Sequence, residues 1–222
     1  GFMEFHRLPC IYLYYSIETR QRSVMFLSIL FFLRPPGTIV AKELNDMGKI
    51  VLYLAMSVDG YIADEQGGVG WLGGDGSEPG APGSYPAFYE TVDTIVMGWT
   101  TYHQIITELV WESWPYPGLP CYVVTHRQEQ DRESICFWNG KLTVLADKLK
   151  TEREGNIWIC GGASVAGRLL KEGRIDKLWL SVIPTVLGKG VRLFAEQGQE
   201  LLLKLVRAQH YNGIVDLVYE KR

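Results

Sequence analysis

The sequence predicts an α/β fold built on a mainly parallel sheet that has an antiparallel edge. From Lys49 onward, short apolar runs alternate with segments of helical character, which is typical of strands joined through helical crossovers. Several runs are apolar at nearly every position, as expected for strands covered on both faces. Asn212-Gly213 separates the last two runs, and this dipeptide favours a tight hairpin.

Composition narrows the class of protein. The 222 residues carry a net charge of −3 and are 47% hydrophobic, which suits one or at most two globular domains. A near-neutral charge argues against a nucleic-acid-binding protein. The four cysteines and four histidines are scattered, so we expect no metal site and reduced thiols. Reduced thiols favour a cytoplasmic location.

Residues 1–46 differ from the rest and are predicted to be an atypical apolar extension of a domain spanning residues 47–222. They contain a ten-residue apolar run, Val24–Leu33, whereas a membrane-spanning helix needs about 20 residues. Three interpretations stay open. The extension is upstream sequence without a role, a membrane-directing segment, or an arm that packs on the domain or on a partner subunit. Because the run is too short to span a bilayer, no membrane partner is assigned to the chain.

Eight strands are predicted in chain order. They comprise residues 49–56, 94–97, 121–124, 142–145, 156–160, 177–184, 201–209 and 214–220. Helices are predicted over 85–91, 102–109, 147–154 and 165–172, the last with Ser164 as N-cap and Gly173 as stop. Residues 64–83 are rich in Gly, Asp and Pro and predict a long surface loop of the kind that often carries function.

Three predicted strands end in glycine or small polar residues, at 98–101, 125–127 and 161–164. Ligands of open α/β sheets bind beyond the carboxyl ends of the strands. Two of these ends lead into helices, and the unpaired N–H groups at a helix start favour phosphate. The pattern therefore indicates a ligand with more than one phosphate, although neither GxGxxG nor a P-loop occurs.

Four segments in order resemble the dihydrofolate reductase superfamily: Ala55–Ala63, Val96–Tyr102, Ile159–Ser164 and Pro184–Phe194. They are most similar to its small stand-alone proteins related to the C-terminal reductase domain of the bifunctional riboflavin-biosynthesis deaminase-reductase. The resemblance covers about residues 47–222. It implies a dihydrofolate reductase-like fold with about eight strands, binding of NADPH with NADH possible, a small-molecule substrate, and a homodimer.

The resemblance also implies which residues bind the cofactor. The nicotinamide pocket would be lined by Ala55 and Ile62. The pyrophosphate and adenosine side would be met by Gly98, Thr100 and Thr101. The adenosine 2′-phosphate would lie beside Thr125, His126 and Arg127. The pyrophosphate and ribose would be wrapped by Gly161, Gly162, Ala163, Ser164 and Val165. In relatives the two adjacent glycines are joined by a cis peptide bond.

Two departures from the family pattern bear on specificity. Trp99 stands where the family usually has an arginine, so either Arg127 compensates at the 2′-phosphate or the preference for NADPH over NADH is weaker. Dihydrofolate reductase itself has a carboxylate in its first helix. After Trp71 the only candidates here are Asp75 and Glu78, both in the glycine-rich loop, so folate reduction is not expected.

Two residues are candidates for catalysis. Asp59 either caps the end of the first strand or contacts the substrate, and Trp71 either anchors its loop or closes over the nicotinamide. The sequence thus predicts an NAD(P)H-dependent reductase that passes hydride to a small pteridine- or pyrimidine-like heterocycle or to a carbonyl compound. The alternatives are a riboflavin-pathway 5-amino-6-(ribosylamino)uracil-type reductase and a non-catalytic dinucleotide-binding module.

Overall fold

The computed structural model describes residues 48–109, 113–194 and 200–222. The predictions for residues 1–46 lie outside the described residues. The strands are β1 Ile50–Ser57, β2 Tyr61–Ala63, β3 Val92–Gly98, β4 Cys121–Val124, β5 Ile135–Trp138, β6 Asn156–Gly161, β7 Lys177–Ile183, β8 Val191–Arg192, β9 Leu203–Tyr211 and β10 Ile214–Lys221. The helices are α1 Tyr85–Tyr89, α2 Trp99–Gln104, α3 Leu142–Glu152 and α4 Ala163–Lys171, and α2 continues as a π-helical turn over Ile105–Leu109.

Eight of these strands form one sheet in the order β5-β4-β3-β6-β1-β7-β10-β9. The pairs from β5 through β7 are parallel, and β10 pairs antiparallel with both β7 and β9. The short strands β2 and β8 pair with each other. The predicted fold class, a mostly parallel eight-stranded sheet with a C-terminal antiparallel hairpin, is confirmed.

The two faces of the sheet bury different side chains. On the face covered by α3 and α4, branched residues such as Leu52, Ile159 and Leu169 form the aliphatic face. On the face covered by α1 and α2, an aromatic cluster that includes Tyr53 and Phe88 forms the aromatic face. Tyr53 stacks on Phe88 with ring centroids 4.4 Å apart, an arrangement that adds about 0.5–1.5 kcal/mol beyond burial.

One predicted strand is wrong. Residues 142–145 belong to α3, and the helical spacing of Leu142, Leu145, Ala146 and Leu149 places these residues in the core. Val144 is 53% exposed, as expected on the outer side of a helix. The strand in this part of the chain is β5, which was not predicted from the sequence.

Both predicted glycine turns are confirmed, whereas the predicted cap of α4 is wrong. Gly173 has a φ of +64°, and the Gly173 and Arg174 N–H groups donate to Leu170 and Leu169, which ends α4 in a Schellman motif. Asn212 and Gly213 have φ values of 48° and 74°, as in a type I′ hairpin turn. Ser164 is exposed within the first turn of α4, and Gly162 occupies the N-cap position.

Candidate active site

The ends of β3, β4 and β6 meet at one edge of the sheet. Gly98 lies opposite Val124, and Met97 lies opposite Gly161, so the parallel register aligns the three strand ends. A Cβ atom built on Gly98 would lie 3.3 Å from Val165 Cγ2. The structure therefore brings the predicted segments 98–101 and 161–165 into contact.

A narrow cradle lies between α2 and the two adjacent glycines. A Cβ atom on Gly162 would lie 3.3 Å from Thr101 Oγ1, and one on Gly161 would lie 3.5 Å from it. Gly161 has a φ of +131°, and the peptide bond between the glycines is cis, as the resemblance implied. Side chains at these positions would crowd Thr101.

The first turn of α4 opens directly from this cradle. Its N–H groups at Ala163 and Ser164 lack intrahelical partners, and the positive end of the helix dipole lies there. The Ser164 side chain is exposed. Thr100, at the start of α2, is exposed too. Donors and small side chains therefore line the cradle from both helices, an arrangement suited to an anion.

An arginine stacks on the tryptophan that replaces the usual family arginine. Arg127 Cζ lies 4.8 Å from the centre of the Trp99 ring, within the range of a cation–π contact. Trp99 also packs against Phe137 of β5 at 6.2 Å between centroids. The Arg127 N–H donates to Thr125 Oγ1 at 3.0 Å, which fixes the turn after β4. His126, between Thr125 and Arg127 in the turn, is exposed. Residues 125–127 thus lie beside the start of α2, with the guanidinium held in place.

The two predicted nicotinamide residues lie on different faces of the sheet. Ala55 is half-buried in β1, opposite Ser181 of β7, and the alternation of β1 places it on the aromatic face with Tyr53. Ile62 of β2 packs against the aliphatic face. Their contact with a nicotinamide stays a prediction for both residues.

The glycine-rich loop between β2 and α1 is hydrogen-bonded to the rest of the protein on both sides of Trp71. Gln104 Nε2 at the end of α2 donates to Gly67 O at 2.9 Å, and the half-buried Trp71 donates its Nε1–H to Gly68 O at 3.3 Å. The far part of the loop is bonded to the tip of the β9–β10 hairpin. This placement fits a fixed loop anchor as well as a covering residue, so the role of Trp71 stays a prediction.

The two acidic residues that follow Trp71 in this loop lie at the tip of the β9–β10 hairpin. Glu78 Oε2 accepts from the Asn212 N–H at 2.9 Å, and the Asp75 N–H donates to Asn212 O at 2.9 Å. Hydrogen bonds from the Ser77 hydroxyl and N–H lower the pKa of Asp75. Helix α1 has the sequence Tyr-Pro-Ala-Phe-Tyr and carries no acid. The pterin-binding carboxylate of the first helix is therefore missing from α1.

Asp59 joins the turn after β1 to the segment after β7. Its Oδ1 accepts from Ser57 Oγ at 2.6 Å and from the Leu187 N–H at 3.1 Å, and its Oδ2 accepts from the Gly188 N–H at 2.7 Å. The Ser57 hydroxyl and then the two backbone donors lower the pKa of Asp59 to about 2. A carboxyl group with this pKa is ionised at neutral pH and cannot donate a proton there. Its predicted catalytic role stays a prediction.

The substitution Asp59→Asn is expected to lower the free energy of unfolding at pH 7. The difference in this free energy between the variant and wild type should shrink as pH falls from 4 to 2. The folded-state pKa of about 2 lies below the ordinary 3.8. The stabilisation is therefore complete above the ordinary value and is lost as pH falls through the folded one. Urea midpoints measured from pH 7 to pH 2 test this, with Asp147→Asn, which removes only an exposed ion pair with Arg174, as the control. A difference in urea midpoint between the variant and wild type that does not change with pH would contradict the lowered pKa of Asp59.

Cysteine and metal chemistry have no support among the described residues. Burial raises the pKa of the Cys121 thiol, which disfavours the thiolate. Half-buried Cys160 lies 3.9 Å from the Tyr116 hydroxyl. Within the described ranges, no cluster of three His, Cys, Asp or Glu residues could hold a metal ion, and no helix is long and apolar enough to cross a membrane.

A cavity of about 460 Å³ lies between α2 with its π-helical turn and the start of β5. Tyr102, Ile105, Trp114 and Ile135 line it, near the start of β5. Residues 110–112, which connect two of its walls, lie outside the described residues. None of the predicted cofactor-binding residues lines it.

Sequence reasoning missed one buried polar residue. Asp216 is 1% exposed and occupies an inward position of β10, between Ile214 and Val218. The sequence does show an acid in the otherwise apolar alternating row of β10, which indicates a buried polar residue. Its partners, however, come from distant parts of the chain and could not be read from local patterns.

The fold is that of dihydrofolate reductase, and the family of the chain makes it an oxidoreductase of this class. The family model described as the RibD C-terminal domain matches residues 48–216, and the chain belongs to that family. This confirms the resemblance carried by the four segments.

Known proteins similar to the chain agree with this assignment. The uncharacterized protein YwjB of Bacillus subtilis (strain 168) is 39% identical over 173 residues, which cover 77% of this chain and 97% of YwjB. A putative riboflavin biosynthesis protein from Shewanella sp. PV-4 superposes with a TM-score of 0.68 at 26% identity, covering 78% of this chain and 99% of that one. Dihydrofolate reductase from Enterococcus faecalis, solved with NADP(H), shares the fold at a TM-score of 0.51 and 18% identity, covering 79% and 97%.

Proposed function

We propose that the chain is an NADPH-dependent reductase that transfers a hydride to a small heterocycle of the pyrimidine or pteridine kind. The observation that carries the proposal is the cradle at the strand ends, where a Cβ atom placed on Gly162 would lie only 3.3 Å from Thr101 Oγ1. The first turn of α4 and the stacked Arg127 flank this cradle and add donors for an anion. Membership of a reductase family supports the same function.

The described residues fit a phosphorylated dinucleotide. Gly161, Gly162 and the N–H groups that open α4 would hold the pyrophosphate. Arg127, held on Trp99, would meet a 2′-phosphate with charge-assisted hydrogen bonds. The nicotinamide would lie against the small Ala55 side chain on the aromatic face. When bound, the nicotinamide supplies the hydride, and the protein orients the reactants and excludes water.

Within this class, a reductase of the riboflavin pathway is the more specific candidate. The similarity to the putative riboflavin biosynthesis protein of Shewanella covers 99% of that chain at 26% identity. The lack of an acid in α1 argues against a folate-type pterin. We therefore choose 5-amino-6-(ribosylamino)uracil and its 5′-phosphate as the first probes, with dihydropteridines as the comparison. The proposed homodimer is tested by sedimentation of the full chain.

Titration with NADPH and NADH, followed by nicotinamide fluorescence, separates the reductase from a non-catalytic module. We expect saturable binding of NADPH, followed by loss of reduced-nicotinamide absorbance when a probe heterocycle is added. Absence of saturable binding at millimolar cofactor would overturn the reductase. Saturable binding without consumption of NADPH by any pyrimidine, pteridine or carbonyl probe would favour the dinucleotide-binding module.

A further inference from the structure

A buried carboxylate lies two strands from Ala55 on the same face of the sheet. Asp216 of β10 is paired in register with Ser181 of β7, and Ser181 is paired with Ala55 of β1. Register partners in neighbouring strands point to the same face, so the three side chains form a row across the aromatic face. The row runs away from the phosphate cradle, because β6, β3 and β4 lie on the other side of β1.

Four neutral donors surround this carboxylate. Asp216 Oδ1 accepts from Ser181 Oγ at 2.6 Å and from the Tyr211 hydroxyl at 3.4 Å. Its Oδ2 accepts from Ser84 Oγ and from Gln209 Nε2, the latter at 3.2 Å. Ser84 and Ser181 are themselves buried. The carboxylate therefore joins the residue before α1, strand β7 and the β9–β10 hairpin.

Arg207 is linked to Asp216 through the amide of Gln209. Arg207 donates to Gln209 Oε1, and Gln209 donates in turn to Asp216. Among the described residues, no lysine or arginine forms an ion pair with Asp216. An unpaired charge in the interior is costly even when it is hydrogen-bonded. Valine would complete the inward row of Ile214 and Val218, so packing alone does not explain the acid.

The position of Ser84 gives the cluster a functional setting. Ser84 ends the glycine-rich loop and immediately precedes α1, and its hydroxyl also lies 3.3 Å from the Tyr53 hydroxyl. Asp216 thus fixes where the loop ends and where α1 begins, relative to the face on which Ala55 would meet the nicotinamide.

We propose that Asp216 is a positioning residue for the substrate, which through Ser84 fixes the end of the glycine-rich loop and the start of α1 beside the face that Ala55 shares. This inference rests on the proposed function. It assigns Asp216 to the substrate side of the site and leaves cofactor binding to the residues around the cradle.

The test compares Asp216→Asn with wild type and with Asp147→Asn, the same chemical change on exposed α3. In the variant, an amide N–H₂ faces hydroxyl donors, so at least one of them loses its acceptor. The probes are NADPH and the faster-reduced of 5-amino-6-(ribosylamino)uracil 5′-phosphate and 7,8-dihydropteridine. We expect the KM for the heterocycle to rise at least tenfold, while the Kd for NADPH stays within twofold.

Ser84→Ala carries the test if Asp216→Asn does not fold, since it keeps the carboxylate and removes one donor. It should raise the same KM, and where both variants fold, their effects in the double variant should be less than additive, because both act through one contact. Equal changes in KM and in the Kd for NADPH, or an unchanged KM, would overturn the inference while the reductase stands. A wild-type protein that fails to bind NADPH or to reduce either probe would overturn the proposed function and this inference together.

Discussion

Valine in place of Gly162 is expected to weaken NADPH binding at least about 100-fold, or about 2.7 kcal/mol. The Cβ atom alone would lie 3.3 Å from Thr101 Oγ1, and the two further methyl groups would occupy the cradle between α2 and α4. The N–H groups that open α4 would then be screened from the pyrophosphate. A fluorescence titration with NADPH measures the loss.

Gly70→Val is the matched control for Gly162→Val. It makes the same change at an exposed glycine where an added Cβ atom would have no neighbour within 4 Å. We expect this variant to keep the wild-type Kd, with both variants folded by circular dichroism. If Gly162→Val binds NADPH as tightly as Gly70→Val does, the pyrophosphate does not lie in the cradle.

Alanine in place of Arg127 is expected to weaken NADPH binding about 30-fold and to change NADH binding less than about threefold. The removed guanidinium would make charge-assisted hydrogen bonds to a 2′-phosphate, each worth about 1.5–3 kcal/mol. NADH has no such phosphate. The difference should shrink as salt is added, because Arg127 is exposed.

Arg132→Ala, at an exposed arginine before β5, is the control for general loss of positive charge. Trp99→Leu should give an intermediate loss for NADPH, because it removes the ring on which Arg127 stacks at 4.8 Å and leaves the charge in place. Equal losses for NADPH and NADH in Arg127→Ala would show that this arginine does not distinguish the two cofactors. The substitution of tryptophan for the usual family arginine would then weaken the preference for NADPH.

Features with local signals could be predicted from the sequence. The Asn212-Gly213 turn, the Gly173 stop and the glycine-rich loop each depend on a few adjacent residues, and all three are found where predicted. The meeting of the strand ends followed from a general property of parallel sheets, and the register of β3 with β4 and β6 bears it out.

Features that depend on distant partners could not be predicted. Leu142–Leu145 looks like a strand because four residues of this kind suit either structure, and only the longer spacing through Leu149 identifies α3. Strand β5 is a four-residue edge strand after a polar segment, and pairing with β4 gives it its form. The stacking of Arg127 on Trp99 and the donors around Asp216 join segments far apart in the chain, so no sequence window contains them.

The central position of β1 has a consequence for how the protein is made. Strand β1 precedes the other strands of the described chain, yet its partners are β6 and β7, with Ile50 opposite Ile157 and Val51 opposite Lys177. During synthesis on the ribosome, more than a hundred further residues must be translated before either neighbour of this apolar strand is complete. Such late, long-range pairing slows folding and exposes strand edges. The nascent chain is therefore expected to depend on a holding chaperone, and to gain protease resistance only after β7 has emerged.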